Sequence, residues 1–318
     1  MKFLRLQRCL TAFFICISLS CFICGGCTNK ATLPHSSSSI ENSSFSTDLP
    51  SSFSSSNGNA PLEEPIVQES ANDSEYSVAQ DSSQSEDSAE ETIDPTVWNV
   101  SDVDISAVDC NKKLIAFTFD DAPTRATESL FAVFAAFNEQ NPDTPATATL
   151  FLNGYLFDKE TPHLLHAAKT LGFELGNHTQ SHFDLTTLTK DELKTEIDAT
   201  DALLKFADGK ERHLLRPPYG KFNENVKNVA QTPIIHWSID TLDWAGTSAD
   251  DIYETVFSNR SPGAIVLMHD GYPATIDALK RLLPDLKADG YQVVSVSQMA
   301  KAHGCILRNG SVYIRARK

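Results

Sequence analysis

Residues 113–123, KLIAFTFDDAP, decide the fold class, because an apolar run typical of a buried strand ends in two acids. Polar residues follow short apolar runs in the same way at four further places: His178, Arg216, Asp240 with Asp243, and His269 with Asp270. The carboxyl ends of parallel strands lie on one face of an α/β fold, so these residues are predicted to share one pocket.

Short apolar runs alternate with amphipathic stretches from about residue 108 to residue 303. Strands are predicted at seven of the runs: 113–120, 146–152, 173–176, 213–215, 233–239, 264–268 and 291–296. This alternation predicts either an α/β barrel or an open parallel sheet. Thr189 and Glu192 have capping-box spacing at the start of a predicted helix over 189–207. Residues 306–314, around an Asn-Gly pair, predict a β-hairpin.

The first 27 residues have the layout of a secretory signal, with three basic residues before an uncharged, mostly apolar run. Two glycines precede Cys27, which resembles the cleavage box of bacterial lipoproteins and makes Cys27 the expected lipidation site. An uncleaved membrane anchor is the alternative, because about 20 apolar residues can span a bilayer. Either arrangement places the protein at the extracellular face of the cell membrane.

Residues 28–107 are rich in Ser, Asn, Asp and Glu and carry most of the chain's net charge of -16. Few apolar groups and strong self-repulsion predict a disordered, extended linker. Residues 108–318 then form a single catalytic domain without a basic stripe, which argues against nucleic-acid binding. Of the seven cysteines, only Cys110 and Cys305 lie in this domain, and a disulfide between them is a hypothesis.

A metal site is predicted from two histidines and a carboxylate. His178 and His182 are four residues apart in HTQSH, a spacing that lets both rings bind one ion. Asp121 adds a carboxylate from another strand end, and three such ligands are typical of a catalytic site. Zinc is the first choice, and Co²⁺, Ni²⁺ or Mn²⁺ fit the same ligands.

Asp120 and Asp121 point to different sides of an extended strand end, so we assign Asp121 to the metal and Asp120 to the general base. The alternative is that both acids cap the following helix. His269 follows an apolar strand and is placed to act as a general acid. Either Asp243 or Asp240 would orient its imidazole and raise its pKa, and the alternative is a histidine with a structural role in the core.

Five motifs occur along the chain in this order: FTFDDAP at 117–123, HTQSH at 178–182, RPPYG at 216–220, DTLDW at 240–244 and LMH at 267–269. In type and order they resemble the motifs of the polysaccharide deacetylases, carbohydrate esterase family 4, also called the NodB-homology domain. The resemblance covers about residues 112–297. It implies a distorted (β/α) barrel of about seven strands and hydrolysis of N-acetyl groups on polymers that contain N-acetylglucosamine (GlcNAc).

The resemblance also implies roles for the residues of the first three motifs. Asp120 is similar to the family's catalytic base. Asp121, His178 and His182 are similar to its metal ligands. Arg216 is similar to the residue that fixes the base.

The remaining motifs imply the residues around the substrate. Tyr219 resembles the residue whose backbone N–H stabilises the oxyanion. Asp243 and Trp244 resemble the partners that position the catalytic His269, and Trp244 with Leu267 would line a pocket for the acetyl methyl group.

One residue departs from the family's pattern, because Ala122 stands where the family usually has glycine. A methyl group there would cause strain if the position required a positive φ. The expected function is metal-dependent N-deacetylation of a peptidoglycan or poly-GlcNAc type of polysaccharide by a monomer. The alternatives are an O-acetyl esterase of the xylan type that uses the same site and an inactive homologue that binds the cell wall.

Overall fold

The computed structural model describes residues 94–317. The predicted signal segment, the Cys27 lipidation site and the linker before residue 94 lie outside the described residues. Among residues 94–317, no helix is both long enough and apolar enough to cross a membrane.

Among residues 94–317, eight strands form the sheets: β1 (Lys113–Ala122), β2 (Thr149–Leu152), β3 (Glu174–Asn177), β4 (Ile234–Ile235), β5 (Ile239–Asp240), β6 (Ile265–His269), β7 (Tyr291–Val294) and β8 (Val312–Tyr313). The main sheet has the order β3-β2-β1-β6-β5, with β7 also paired to β1. All of these pairs are parallel, and β4 pairs in parallel with β8. The strand and helix alternation therefore produces the predicted parallel α/β fold.

In the described part of the chain, seven α-helices connect or follow the strands: α1 (Thr127–Gln140), α2 (Thr161–Thr170), α3 (Lys190–Asp208), α4 (Glu224–Ala230), α5 (Ala249–Asn259), α6 (Pro273–Ala288) and α7 (Val296–His303). The predicted capping box is present at the start of α3. The Thr189 side chain accepts from the backbone of Glu192, and the Glu192 side chain accepts from the backbone of Thr189. This exchange satisfies backbone donors that the first turn would leave free.

Strand β1 is the centre of the fold, and residues 114–119 are fully buried. Its odd-numbered residues, such as Phe117 and Phe119, pack with α1 and α6, while Leu114 and Ala116 pack with α7. Side chains alternate between the two faces of a strand, and both faces are covered here. This explains the unbroken apolar run in the sequence, and it places Asp120 on the same face as Thr118.

The circle of strands that forms the barrel is closed by an isolated bridging residue and not by a long strand. Leu215 bridges Asn177 on one side and Ile234 on the other, so the predicted strand at 213–215 is reduced to one bridging residue. The predicted strand at 233–239 divides into β4 and β5, and β5 pairs with β6. The change of partner within this segment makes the structure a distorted (β/α) barrel, which confirms the expected fold class.

The predicted hairpin over 306–314 is wrong. Residues around the Asn-Gly pair do form a turn, in which Ser311 N donates to Arg308 O at 3.2 Å. The flanking residues pair elsewhere, however, because Arg308 bridges Val97 and β8 pairs with β4. An isolated two-stranded hairpin is marginally stable, and these other backbone partners are available.

Residues 94–107 lie against the domain, although their polar composition assigned them to the linker. The Lys301 ammonium donates to the carbonyls of Ser101 and Val103 at 2.6 and 2.7 Å. Trp98 packs on the cluster that contains Met299, and its backbone N–H donates to Leu307 O at 2.9 Å. The folded unit therefore begins before residue 108.

Cys110 and Cys305 both carry free thiols. The hypothesised disulfide between them is not formed in the structure.

We expect Trp98→Ala to lower the free energy of unfolding by about 2 kcal/mol, because a half-buried tryptophan should cost about half of a fully buried one. Urea denaturation of the purified protein measures the change. Phe206→Ala is the control, since Phe206 is 92% exposed and its removal should leave stability nearly unchanged. Equal stability of both variants would show that residues 94–107 add nothing to the fold.

Candidate active site

Asp120 lies at the carboxyl end of β1 and points into the barrel, where it meets Arg216. One Arg216 Nη donates to Asp120 Oδ1 at 2.8 Å and to Thr118 Oγ1 at 2.7 Å. The alternation of β1 explains this contact, because Thr118 and Asp120 share a face. Both members of the ion pair are buried.

Every nitrogen of the Arg216 guanidinium donates at least one hydrogen bond. Its Nε donates to the carbonyl of Ile235 and its second Nη to that of His236, both at 3.1 Å. The Phe151 ring lies 4.2 Å from the guanidinium carbon. Burial of a charge is costly unless its hydrogen bonds are satisfied, and these contacts hold Arg216 in one position.

The Asp120 carboxyl remains a carboxylate at neutral pH. Burial raises its pKa, but the positive charge of Arg216 and the neighbouring His178 and His269 outweigh burial and hold the pKa below its usual value. A group in this state can accept a proton.

Asp121, His178 and His182 come together as predicted. Asp121 Oδ1 lies 3.6 Å from His178 Nε2 and 3.4 Å from His182 Nε2. Among residues 94–317, these three form the one group of His, Cys, Asp or Glu side chains with atoms placed to hold a metal ion. Asp120 Oδ2 lies 3.7 Å from His178 Nε2, so the residue predicted to be the general base faces the same space.

The donor atoms fit a divalent cation. His178 Nδ1 lies 2.6 Å from the carbonyl oxygen of Arg216, and because a carbonyl only accepts, Nδ1 carries the proton and Nε2 keeps its lone pair. Asp121 Oδ1 is buried and has no hydrogen-bond partner among the described residues. A buried carboxylate oxygen without a partner is costly, and a bound cation would satisfy it.

The backbone of the site is strained at several residues other than glycine. Positive φ angles occur at Asp121 (62°), Thr179 (72°), His182 (56°), Tyr219 (59°) and Leu242 (52°). Each costs on the order of 1 kcal/mol and requires support from the surroundings. All five lie in the predicted motifs.

Ala122 is not strained. It is the last residue of β1, pairs with Leu152 and lies outside the set with positive φ. The left-handed conformation falls on Asp121 instead, so the methyl group at position 122 meets no conformational penalty.

His269 is held by Asp243, and Asp240 does not contact it. His269 Nδ1 lies 2.7 Å from Asp243 Oδ1, and the His269 backbone N–H donates to Asp243 Oδ2 at 2.8 Å. Asp240 accepts from the backbone of Leu242. Burial lowers the pKa of His269, but the hydrogen bond with Asp243 and the charge of Asp120 outweigh burial and raise it.

The residues predicted around the substrate have different surroundings. Tyr219 is exposed, and the centre of its ring lies 4.8 Å from that of His182. Trp244 is also exposed, and its backbone N–H donates to Asp243 at 3.0 Å. The Leu267 side chain is buried in β6.

Two threonines of the site were not predicted. Thr275, in the first turn of α6, donates to Asp243 Oδ2 at 2.7 Å, and no sequence spacing indicates this contact. Thr118 bonds to Arg216, and the alternation of β1 would have indicated it, because Thr118 is two residues before Asp120.

Comparisons with known proteins show which family the chain resembles. The polysaccharide deacetylase family model matches residues 107–233. A peptidoglycan-N-acetylglucosamine deacetylase of Bacillus cereus is 34% identical over 196 residues, which are 59% of this chain and 69% of that protein. The peptidoglycan-N-acetylmuramic acid deacetylase PdaC of Bacillus subtilis is 32% identical over 192 residues, which are 60% of this chain and 40% of PdaC.

A solved structure has the same fold. The T48 deacetylase, determined with substrate, superposes with a TM-score of 0.59 and 30% identity, covering 65% of this chain and 99% of that structure. The identity to the Bacillus cereus protein extends over more than two thirds of that protein. The chain therefore belongs to the polysaccharide deacetylase family, a family of hydrolases.

Proposed function

We propose that this protein is a metal-dependent deacetylase that removes N-acetyl groups from GlcNAc residues of a peptidoglycan-type cell-wall polysaccharide. One observation carries the proposal: Asp120 and His269 are register partners on the adjacent strands β1 and β6, beside the Asp121, His178 and His182 cluster. Two relatives act on peptidoglycan, as their names state, and this supports the substrate class.

The metal ligands are assigned to Asp121, His178 and His182, with zinc as the first choice. A bound divalent ion would act as a Lewis acid on the acetyl carbonyl and lower the pKa of the attacking water. His178 contributes through Nε2, which its contact with the Arg216 carbonyl leaves free of a proton.

Asp120 is assigned as the general base. Its Oδ1 is held by Arg216, while Oδ2 faces His178. The free oxygen is thus directed to the side where water must attack, and it takes the proton that the water loses as the new C–O bond forms.

His269 is assigned as the general acid. Its Nδ1–H is held by Asp243, which orients the ring and favours the protonated imidazole. His269 gives a proton to the sugar nitrogen as the C–N bond breaks, and the products are acetate and a free amine. The backbone N–H of Tyr219 is assigned to the oxyanion, and Trp244 with Leu267 to the acetyl methyl group.

The predicted signal segment and Cys27 support action outside the cell. We infer that the domain is tethered to the outer face of the membrane by a lipid or anchor and reaches the wall as a monomer. A tethered enzyme suits a wall polymer better than a plant polymer such as xylan.

Acetate release tests the function directly. The chelated protein is compared with and without added Zn²⁺ on de-esterified peptidoglycan, GlcNAc oligomers and acetylxylan, and His182→Ala serves as the metal-site control. We expect zinc-restored release from the amide substrates by the native protein and none by the variant. Release from acetylxylan alone would make the protein an O-acetyl esterase, and no release by zinc-loaded protein would favour the inactive homologue.

Asp120→Asn should lower kcat by about 100-fold or more, because the amide cannot accept the proton from water. Zinc content, measured by metal analysis of the same sample, should stay at the native level, since Asp121 is the ligand. Turnover within a few-fold of native would remove Asp120 as the base.

Asp243→Asn should shift the alkaline limb of the kcat–pH profile to lower pH by about 1 unit or more. The charge of Asp243 raises the pKa of His269, and the general acid works only while protonated, so a lower pKa ends activity at a lower pH. Asp240→Asn is the matched control, because Asp240 bonds to the Leu242 backbone and the limb should not move. An unchanged limb in Asp243→Asn would contradict the role of His269 as the acid.

A further inference from the structure

The loop of residues 178–182 carries both histidine ligands in an unfavourable backbone conformation. Thr179 and His182 have φ angles of 72° and 56°. A residue that is neither glycine nor asparagine adopts this conformation only when its neighbours enforce it. The geometry of the ligands therefore depends on the groups that hold the loop.

The end of the loop nearest β3 is held by asparagine side chains. Asn177 Oδ1 accepts from the backbone of Thr179 at 2.8 Å, and Asn153 donates to the carbonyl of His178 at 2.6 Å. Asn177 is in turn fixed by Asp201 of α3 at 3.0 Å. These contacts fix the backbone at His178 and Thr179 but do not reach His182.

Glu196, a buried residue of α3, holds the end of the loop that carries His182, together with Tyr155, whose backbone N–H donates to Gln180 O at 2.8 Å. Glu196 Oε2 accepts from the backbone N–H of Ser181 at 2.7 Å. The backbone carbonyl of Glu196 accepts from Gln180 N at 3.0 Å. Glu196 is buried, and it accepts hydrogen bonds from the two residues immediately before His182.

Two other acids of α3 have partners outside this loop. Glu192 closes the capping box with Thr189, and Asp198 pairs with Lys194 and Arg212. Glu196 differs because its carboxylate bonds to the loop of the ligands.

We propose that Glu196 is a positioning residue that sets the backbone of His182 and thereby the affinity of the site for its metal ion. The inference rests on the proposed metal site at Asp121, His178 and His182. Without the Glu196 carboxylate, Ser181 N–H loses its acceptor and His182 can leave the left-handed conformation. Its Nε2 then no longer stays 3.4 Å from Asp121 Oδ1.

Zinc affinity of the secreted protein, measured by competition with a chromophoric chelator, tests this role. Glu196→Ala should raise the Kd by about 10- to 100-fold, the usual effect of removing a group that orients a metal ligand. The visible spectrum of the Co²⁺-loaded protein should change at the same time, because it reports ligand geometry and not catalysis. Both measurements are independent of activity.

Two further variants test separately whether the length or the charge of the Glu196 side chain matters. Glu196→Gln keeps an oxygen at the same distance and should stay close to the native Kd. Glu196→Asp keeps the charge but is one methylene shorter, so it should weaken binding as alanine does. The opposite order would show that charge matters and the hydrogen bond does not, which would overturn the proposal; this pair also serves if the alanine variant does not fold.

Glu192→Ala is the matched control on the same helix. It removes the capping box and should lower the melting temperature of the metal-free protein while leaving the zinc Kd unchanged. If native protein binds no zinc, or if His182→Ala binds it equally well, the proposed metal site fails. If native protein binds zinc at that site and Glu196→Ala binds within about twofold of it, only the role of Glu196 fails, by the tenfold criterion for orienting groups.

Discussion

The structure depends on the buried ion pair between Arg216 and Asp120. The guanidinium contacts the carboxylate, Thr118 and two carbonyls, while the Arg216 backbone accepts from His178 and donates to Asn177. One residue thus fixes the proposed base Asp120, the proposed metal ligand His178 and the point where the barrel closes. Removing either charge would leave the other buried without compensation, which typically costs several kcal/mol, so stability and chemistry are coupled at this position.

The sequence predicted those parts of the site that follow from strand ends. The alternation within β1 explains why Asp120 points inward, and Asp121, His178 and His182 meet because parallel strands end on one face. The residues that support them were not predictable in this way. Thr275 and Glu196 reach the site from helices, and helical spacing gives the face that is buried but not the atom that is contacted.

The sequence predicted the elements that a continuous apolar run buries. It missed the elements whose conformation depends on a pairing partner elsewhere in the chain. Residues 213–215 have the composition of a strand, but Leu215 pairs as a single residue, with Asn177 on one side and Ile234 on the other. Residues 94–107 are polar and have no period, yet Lys301 and the cluster around Met299 hold them in place. The Asn-Gly turn near residue 310 forms, but the residues on either side of it pair with other segments and not with each other. In each case the deciding contact is distant along the chain.

The register between β1 and β6 has a consequence for how such an enzyme can diversify. Asp120 and His269 occupy paired positions on hydrogen-bonded strands, so the spacing between strands, about 4.8 Å, sets the separation of their backbones. Substitutions in the surrounding loops cannot alter that spacing. New substrate preferences should therefore arise by remodelling the exposed rim, where Tyr219 and Trp244 lie, while the residues proposed to transfer protons stay unchanged. A laboratory search for altered specificity has its freedom at the rim, and libraries that vary the strand ends would mostly yield inactive chains.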